Sequence, residues 1–250
     1  MATREDHLAA VELAEETGRA LLKARDEMAA KGYGPALVMD TGDQLAHEHL
    51  VAAITERFPG DSILSEEATA AERRNSNRLT AQRVWIVDPI DGTREFGTGR
   101  SDWAVHVALV EDGIPTAAAV ALPARGLTLG TLEPLVPPPP ALPRRLVVSR
   151  SRPAPEAYML AEVLETELIP MGSAGAKAMS VVLGESDIYV HSGGQFEWDS
   201  AAPIGVATAS GLWCSRIDGS PFAYNRLDTY LPDLLVCHPE DAERILEILN

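Results

Sequence analysis

Residues 83–88, RVWIVD, constrain the fold more than any other stretch. Val84, Trp85, Ile86 and Val87 follow one another with no polar residue between them. A strand whose neighbouring side chains point to opposite faces can carry such a run only if both faces are covered. The chain must therefore supply a layer of structure on each side of this strand. Two carboxylates, Asp88 and Asp91, then follow where the apolar run stops, with Pro89 between them and Gly92 and Thr93 behind.

The rest of the sequence supplies such layers. Leu8, Val11, Leu21 and Leu22 recur at helical spacing over 4–30, and Gly32 with Gly34-Pro35 stops that helix. The stretch 41–60 predicts a second helix, with Asp43 at its start and Pro59-Gly60 as its stop. "DSILSEE" (61–67) predicts a short strand ending in acids. From Asp102 to Leu132, turns at Glu111-Asp112-Gly113 and Ala124-Arg125-Gly126 divide three strands of an antiparallel meander.

"LEPLVPPPPALPRR" (132–145) contains Pro137 to Pro140, which have no amide hydrogens for a sheet, so it is a connector. It separates an expected α+β half, 1–135, from an α/β half, 143–250. The second half reads as strand 145–151, helices 154–165 and 174–186, strand 187–191, helix 198–211, strand 233–238 and helix 239–249.

The formal net charge of −16 disfavours sequence-independent binding to a nucleic-acid polymer, which needs a basic surface. An anionic substrate would need a local reversal of the field, and a bound metal ion supplies one. No apolar run reaches the roughly 20 residues of a membrane span. The acidic N-terminus does not look like an export signal, and Cys214 and Cys237 form no disulfide framework, so a reducing cytoplasm is expected.

A lone Asp-Pro or Asp-Gly reads as a turn. Here a helical turn over Thr93 to Phe96 would place the Gly92 and Thr93 amides where a phosphate oxygen can approach. Asp88 and Asp91 would then hold hard cations, with Glu66 from "SEE" and Asp199 from "EWDSAA" completing the oxygen set. Two such ions about 4 Å apart can clamp a phosphate ester in line for displacement. Each acid alone would read as a cap or a surface charge. His47 and His49, two apart on a helix, do not share a face, and Trp85, Trp103 and Tyr189 read as packing residues.

"WIVDPIDGTREF" (85–96) resembles the first signature of the lithium-sensitive, Mg²⁺-dependent phosphatases that include inositol monophosphatases, fructose bisphosphatases and bisphosphate nucleotidases. "EWDSAAP" (197–203) resembles their second signature, and "LSEE" (64–67) their first metal-ligand stretch. The resemblance implies a layered αβαβα sandwich and two or three Mg²⁺ ions per site. It implies metal ligation by Glu66, Asp88, the Ile90 carbonyl, Asp91 and Asp199. It further implies that Thr93, with Asp43 as its partner, activates the attacking water, with Glu66 in the same catalytic set. Phosphatases that attack through an aspartate separate their two aspartates by one residue, whereas two intervene here, so direct attack by water is expected.

"DGTREF" (91–96), "VVSRSRP" (147–153) and "GSAGAK…DIYVH" resemble the nucleotidase branch, which removes the 3′-phosphate from 3′-phosphoadenosine 5′-phosphate. The chain departs from that branch at Arg152, where His is usual, and at His191, where Arg is usual. The resemblance thus implies conversion of that nucleotide to AMP and phosphate, supporting sulfate assimilation, with possible breadth toward 3′-phosphoadenylyl sulfate. Substrate contacts are expected from Asp91, Gly92, Thr93, Lys177 and Asp199. Inositol 1-phosphate or fructose 1,6-bisphosphate hydrolysis is the alternative, and a silent nucleotide sensor is the non-enzymatic one. A homodimer is common among such relatives.

Overall fold

The computed structural model describes residues 1–74 and 76–250. Two long helices come first. Helix α1 (Arg4–Ala30) is started by Thr3, whose hydroxyl accepts from the Asp6 amide while the Asp6 carboxylate accepts from the Thr3 amide at 2.6 Å. This reciprocal cap satisfies two donors that a helix start otherwise leaves orphaned. Helix α2 (Pro35–Arg57) begins at Pro35, not beside Asp43 as its sequence suggests. Proline has a preset φ and no amide hydrogen, so it suits a first helical turn, and Gly34-Pro35 both ends the first helix and starts the second. Asp43 therefore sits inside α2.

Among the described residues the strands make two five-stranded sheets. The first contains β1 (Ser62–Ser65), β2 (Arg83–Asp91), β3 (Ala104–Glu111), β4 (Ile114–Leu122) and β5 (Leu127–Gly130), in that spatial order. β1 runs parallel to β2, and the others form the expected antiparallel meander. Two short helices, α3 (Ala70–Arg73) and α4 (Ser76–Thr80), lie between β1 and β2, and α5 (Thr93–Gly97) follows β2.

The second sheet has the order β7-β6-β8-β10-β9. Its strands are β6 (Arg145–Ser149), β7 (Glu167–Met171), β8 (Ile188–Phe196), β9 (Trp213–Ser215) and β10 (Tyr230–Cys237). The helices among them are α6 (Pro155–Leu164), α7 (Ala174–Val182), α8 (Glu197–Ala209) and α9 (Pro239–Leu249). Two edge strands, β7 and β9, give no clear sequence signal. β7 contains Pro170, which an edge strand tolerates because one side of it has no ladder to donate to, and β9 is three residues long.

Among the described residues, three apolar cores define the layers. Leu13, Leu21 and Leu50 of α1 and α2 pack on Trp85 and Val87 of β2. Val84 and Ile86, on the opposite face of β2, join Met179 of α7, Ile204 of α8 and Tyr189 and Val236 of the second sheet. Leu160 of α6 and Ile245 of α9 cover the outer face of that sheet against Val190 and Leu235. The order is αβαβα, and the unalternating run in β2 is explained by burial on both sides. Every residue of α7 is buried, as a helix sandwiched between two sheets requires.

Candidate active site

The site grows from the end of β2. Asp88 pairs with His106 and Asp91 with Ala104, so β2 spends one more residue than β3 over this interval. In a regular strand, positions 88 and 91 would face opposite ways. The inserted residue, at Pro89-Ile90, undoes that alternation and lets both carboxylates face one cavity. Gly92 then turns the chain with φ +90°, and a Cβ there would stand 3.3 Å from the Cβ atoms of Ser173 and Trp103. Only glycine meets both demands.

Two other segments bring the remaining acids. Asp199 lies in the first turn of α8, where its Oδ2 accepts from the Phe196 amide at 2.7 Å. Oxygens of Asp88, Asp91 and Asp199 lie within 4.8 Å of one another. Glu66 sits one residue past β1, tied by its amide to the Val87 carbonyl at 3.3 Å, and its carboxyl lies beside that of Asp88. Asp43 reaches the site from within α2. The Thr93 hydroxyl has its Oγ1 3.4 Å from Asp43 Oδ1 and 3.1 Å from the Ile90 carbonyl, so its one proton has two acceptors.

Such crowding of acids is costly. Burial, then repulsion from Glu66, Asp91 and Asp199, raises Asp88 well above the usual carboxylate range. Burial, then Asp91, pushes Asp199 up to about 7, and burial does the same to Glu66. Asp43 also rises to about 7, through burial and then Glu67. The buried Asp88 Oδ1 has no hydrogen-bond partner. An all-oxygen cluster with mutual repulsion and an orphaned oxygen fits a hard divalent cation such as Mg²⁺.

Asp91 behaves differently. Burial alone would raise it, but His106, Lys177 and the Ser173 hydroxyl outweigh burial and hold it below the usual range. Its Oδ2 lies 3.2 Å from His106 Nε2 and accepts from the Gly175 amide at 2.6 Å and from the Ser173 hydroxyl. His106 Nδ1 lies 3.0 Å from the Trp198 carbonyl. Ser173 and Gly175 lie in the GSAGAK stretch, which gives them no role toward Asp91 in the sequence, and His106 does not stand out at all. His106 is one polar residue in the apolar strand β3, with no motif around it.

Lys177 is buried, not a solvated helix residue. Its ammonium donates to the Ser173 carbonyl at 2.5 Å and to the Gly172 carbonyl at 3.3 Å, and lies 5.3 Å from the Tyr189 ring centre. Burial pushes its pKa down to about 8 against the pull of Asp91 and Asp199. A cavity of about 500 Å³ opens beside these groups and includes Asp91, Gly92, Thr93, Lys177 and Asp199 in its lining. Arg150, at the rim, is ion-paired with Glu95 at 3.0 Å and with Asp102. His47 is turned elsewhere, with Nδ1 2.9 Å from Ser65 Oγ.

The sequence profile described as the Inositol monophosphatase family matches residues 4–134 and 141–250. The 3′-phosphoadenosine 5′-phosphate phosphatase of Mycobacterium leprae (strain TN) is 45% identical, over 98% of this chain and 93% of its own length. The 3′(2′),5′-bisphosphate nucleotidase CysQ of Escherichia coli (strain K12) is 28% identical, over 76% of this chain and 80% of its own. Among solved structures, CysQ from Bacteroides thetaiotaomicron superposes with a TM-score of 0.81 at 25% identity, covering 94% of this chain and 97% of that one. The layered fold is common to both.

Proposed function

Because the chain belongs to the inositol monophosphatase family, we propose that it is a Mg²⁺-dependent phosphomonoesterase that converts 3′-phosphoadenosine 5′-phosphate to AMP and phosphate. The observation that carries the chemistry is the meeting of Asp88, Asp91 and Asp199 within 4.8 Å, beside the Thr93–Asp43 pair. The nucleotide is supported by the 45% identity to a phosphatase named for that substrate.

In this reading Glu66, Asp88, Asp91, Asp199 and the Ile90 carbonyl would hold magnesium. Bound Mg²⁺ supplies positive charge that offsets the acids and stabilises charge developing on the phosphoryl oxygens. Thr93 Oγ1 orients the attacking water and passes a proton toward Asp43, whose carboxyl, raised to about 7, is matched to accept one near neutrality. The water oxygen bonds to phosphorus as the ester P–O bond breaks, and the leaving nucleoside oxygen takes a proton from solvent water. Gly92 packs against Ser173 and Trp103 and brings backbone to the cavity lining, where a phosphoryl oxygen can approach. Lys177 adds positive charge at the cavity wall for a substrate with two phosphates.

The halves 1–135 and 143–250 act together in this scheme, the first bringing most of the metal ligands and the second Asp199 and Lys177. Lithium sensitivity, a homodimer and a place in sulfate assimilation belong to the same reading and rest on the family resemblance, while a reducing cytoplasm rests on the two cysteines, which form no disulfide framework. Steady-state kcat/KM with Mg²⁺ on 3′-phosphoadenosine 5′-phosphate, inositol 1-phosphate and fructose 1,6-bisphosphate tests it. The expected result is a clear preference for the nucleotide, and a marked preference for the inositol ester would overturn the substrate assignment.

A further inference from the structure

The turn that carries Glu66 to the acid cluster is held from behind by a histidine outside that cluster. Ser65, the last residue of β1, is 1% exposed and closes the turn twice. Its carbonyl accepts from the Ala68 amide at 3.2 Å, and its Oγ accepts from the Glu67 amide at 3.3 Å. His47 of α2 reaches the same oxygen, with Nδ1 2.9 Å from Ser65 Oγ. Among the described residues no other contact takes the Ser65 hydroxyl hydrogen, and buried donors are ordinarily paired. Ser65 therefore donates to His47 Nδ1, and the neutral ring carries its own hydrogen on Nε2.

The brace meets a mechanical demand. The charges of Glu67, Asp91 and Asp43 all oppose a negative Glu66, so the acids push its turn outward. The bond from the Glu66 amide to the Val87 carbonyl ties one side of the turn, and His47 ties the other through Ser65. His47 lies one helical turn after Asp43 on the same face of α2. One rigid helix thus sets both the partner of Thr93 and the turn that presents Glu66. His47 lines a different cavity, of about 230 Å³, which none of Asp43, Glu66, Asp88, Asp91 or Asp199 lines, so it is placed to act only through Ser65.

Resting on the metal reading above, we propose that His47 is a positioning residue for magnesium binding, acting through Ser65 to hold the Glu66 turn against the repulsion of the acid cluster. Outer partners that orient a metal ligand are commonly worth about 10–100-fold in affinity or activity. Without the brace the turn relaxes away from Asp88, so the cost falls on ion affinity. Saturating Mg²⁺ draws Glu66 back, and kcat is largely recovered.

The test is Mg²⁺ binding by calorimetry on the substrate-free protein, with Tm in EDTA and kcat at saturating Mg²⁺ measured alongside. His47→Leu is expected to weaken binding of at least one Mg²⁺ by about 10-fold or more, with kcat at saturation close to wild type. His47→Asn places a carbonyl oxygen near the position of Nδ1 and should restore most of the affinity, which a packing role would not predict. Ser65→Ala should cost as much as His47→Leu, and combining the two should cost little more, because both remove one contact. Wild-type affinity in His47→Leu and Ser65→Ala would overturn the proposal. So would a His47→Asn protein as weakened as His47→Leu, or a Tm in EDTA that falls in step with affinity in every variant. A wild-type protein that binds no Mg²⁺ would instead remove the metal reading, and this proposal with it.

Discussion

His106 Nε2 stands 3.2 Å from Asp91 Oδ2 in the buried interior, and Gly175 is the residue that leaves room for it. A Cβ at Gly175 would lie 2.0 Å from that nitrogen. The contact joins β3, the end of β2 and the start of α7, elements far apart in sequence. It also divides the labour of one carboxylate. Asp91 Oδ2 lies against His106 and accepts from Ser173 and Gly175, so in the proposed metal site Oδ1 would be the oxygen offered to a cation.

Gly175→Ala is accordingly expected to destabilise the fold by about 1–3 kcal/mol, the usual cost of overpacking. Helix propensity alone would favour alanine by about 1 kcal/mol, so the sign of the change is diagnostic. Urea unfolding measures it. In a His106→Ser background the same substitution should lose most of its penalty, and an unchanged penalty there would mean that something other than His106 fills the space.

Asp88→Asn should separate stability from activity. Asp88 is repelled by three carboxylates and has an orphaned oxygen, so an uncharged amide relieves strain in the metal-free fold. The expected result is a higher metal-free Tm together with a loss of phosphate release on the order of 100-fold or more. Even a residue one step removed from a metal commonly costs 10–100-fold, so a direct ligand costs at least as much. A variant with a lower Tm and normal turnover would contradict the assignment.

The acid cluster sets a pH dependence for the metal-free protein. Glu66, Asp43 and Asp199 are each raised to about 7, so the folded state binds more protons than the unfolded chain between about pH 4 and pH 7. Their contribution to stability is present at the acidic end and is lost as pH rises through 7. Asp6, pulled down to about 2 although burial opposes Arg83 and Thr3, acts in the opposite sense only below that window. In EDTA, Tm should therefore be lower at pH 8 than at pH 5.5, and Mg²⁺ should restore most of the difference. A metal-free Tm that climbs to pH 8 and ignores Mg²⁺ would count against the cluster as a cation site.

Thr93→Ala and Asp43→Asn test water activation. Each is expected to lower kcat by about 10²–10⁴-fold, the range for a positioned proton acceptor, with little change in KM. Thr93→Ser should retain much of the rate because it keeps the hydroxyl. Mg²⁺ affinity by calorimetry should be nearly unaltered in all three. A large loss of Mg²⁺ affinity in Asp43→Asn would move that residue from proton transfer to metal binding.

Much of this architecture is legible in the chain because its signals are local. The run Val84 to Val87 announces a strand with two covered faces, and the structure places Trp85 and Val87 in one core and Val84 and Ile86 in another. The acids at 88 and 91 stand out for the same reason: they interrupt that run around a proline. Long-range partners leave no such trace. His106 gains its meaning only when β3 pairs with β2, and Gly175 only when α7 packs beneath both. Asp43 shows the opposite hazard. Its place beside Thr93 follows the family resemblance, yet its place in α2 was obscured because Gly34-Pro35 serves as both a stop and a start. The bulge at Gly193-Gly194 depends on pairing with β10, whose residues come almost forty positions later, so it is visible only in three dimensions.

The most direct test is phosphate release from 3′-phosphoadenosine 5′-phosphate by the wild-type protein as Mg²⁺ is titrated from an EDTA-treated start. Release that is negligible without the ion and rises to a plateau with it is the predicted result. Undiminished release in EDTA, or none at saturating Mg²⁺, would contradict it.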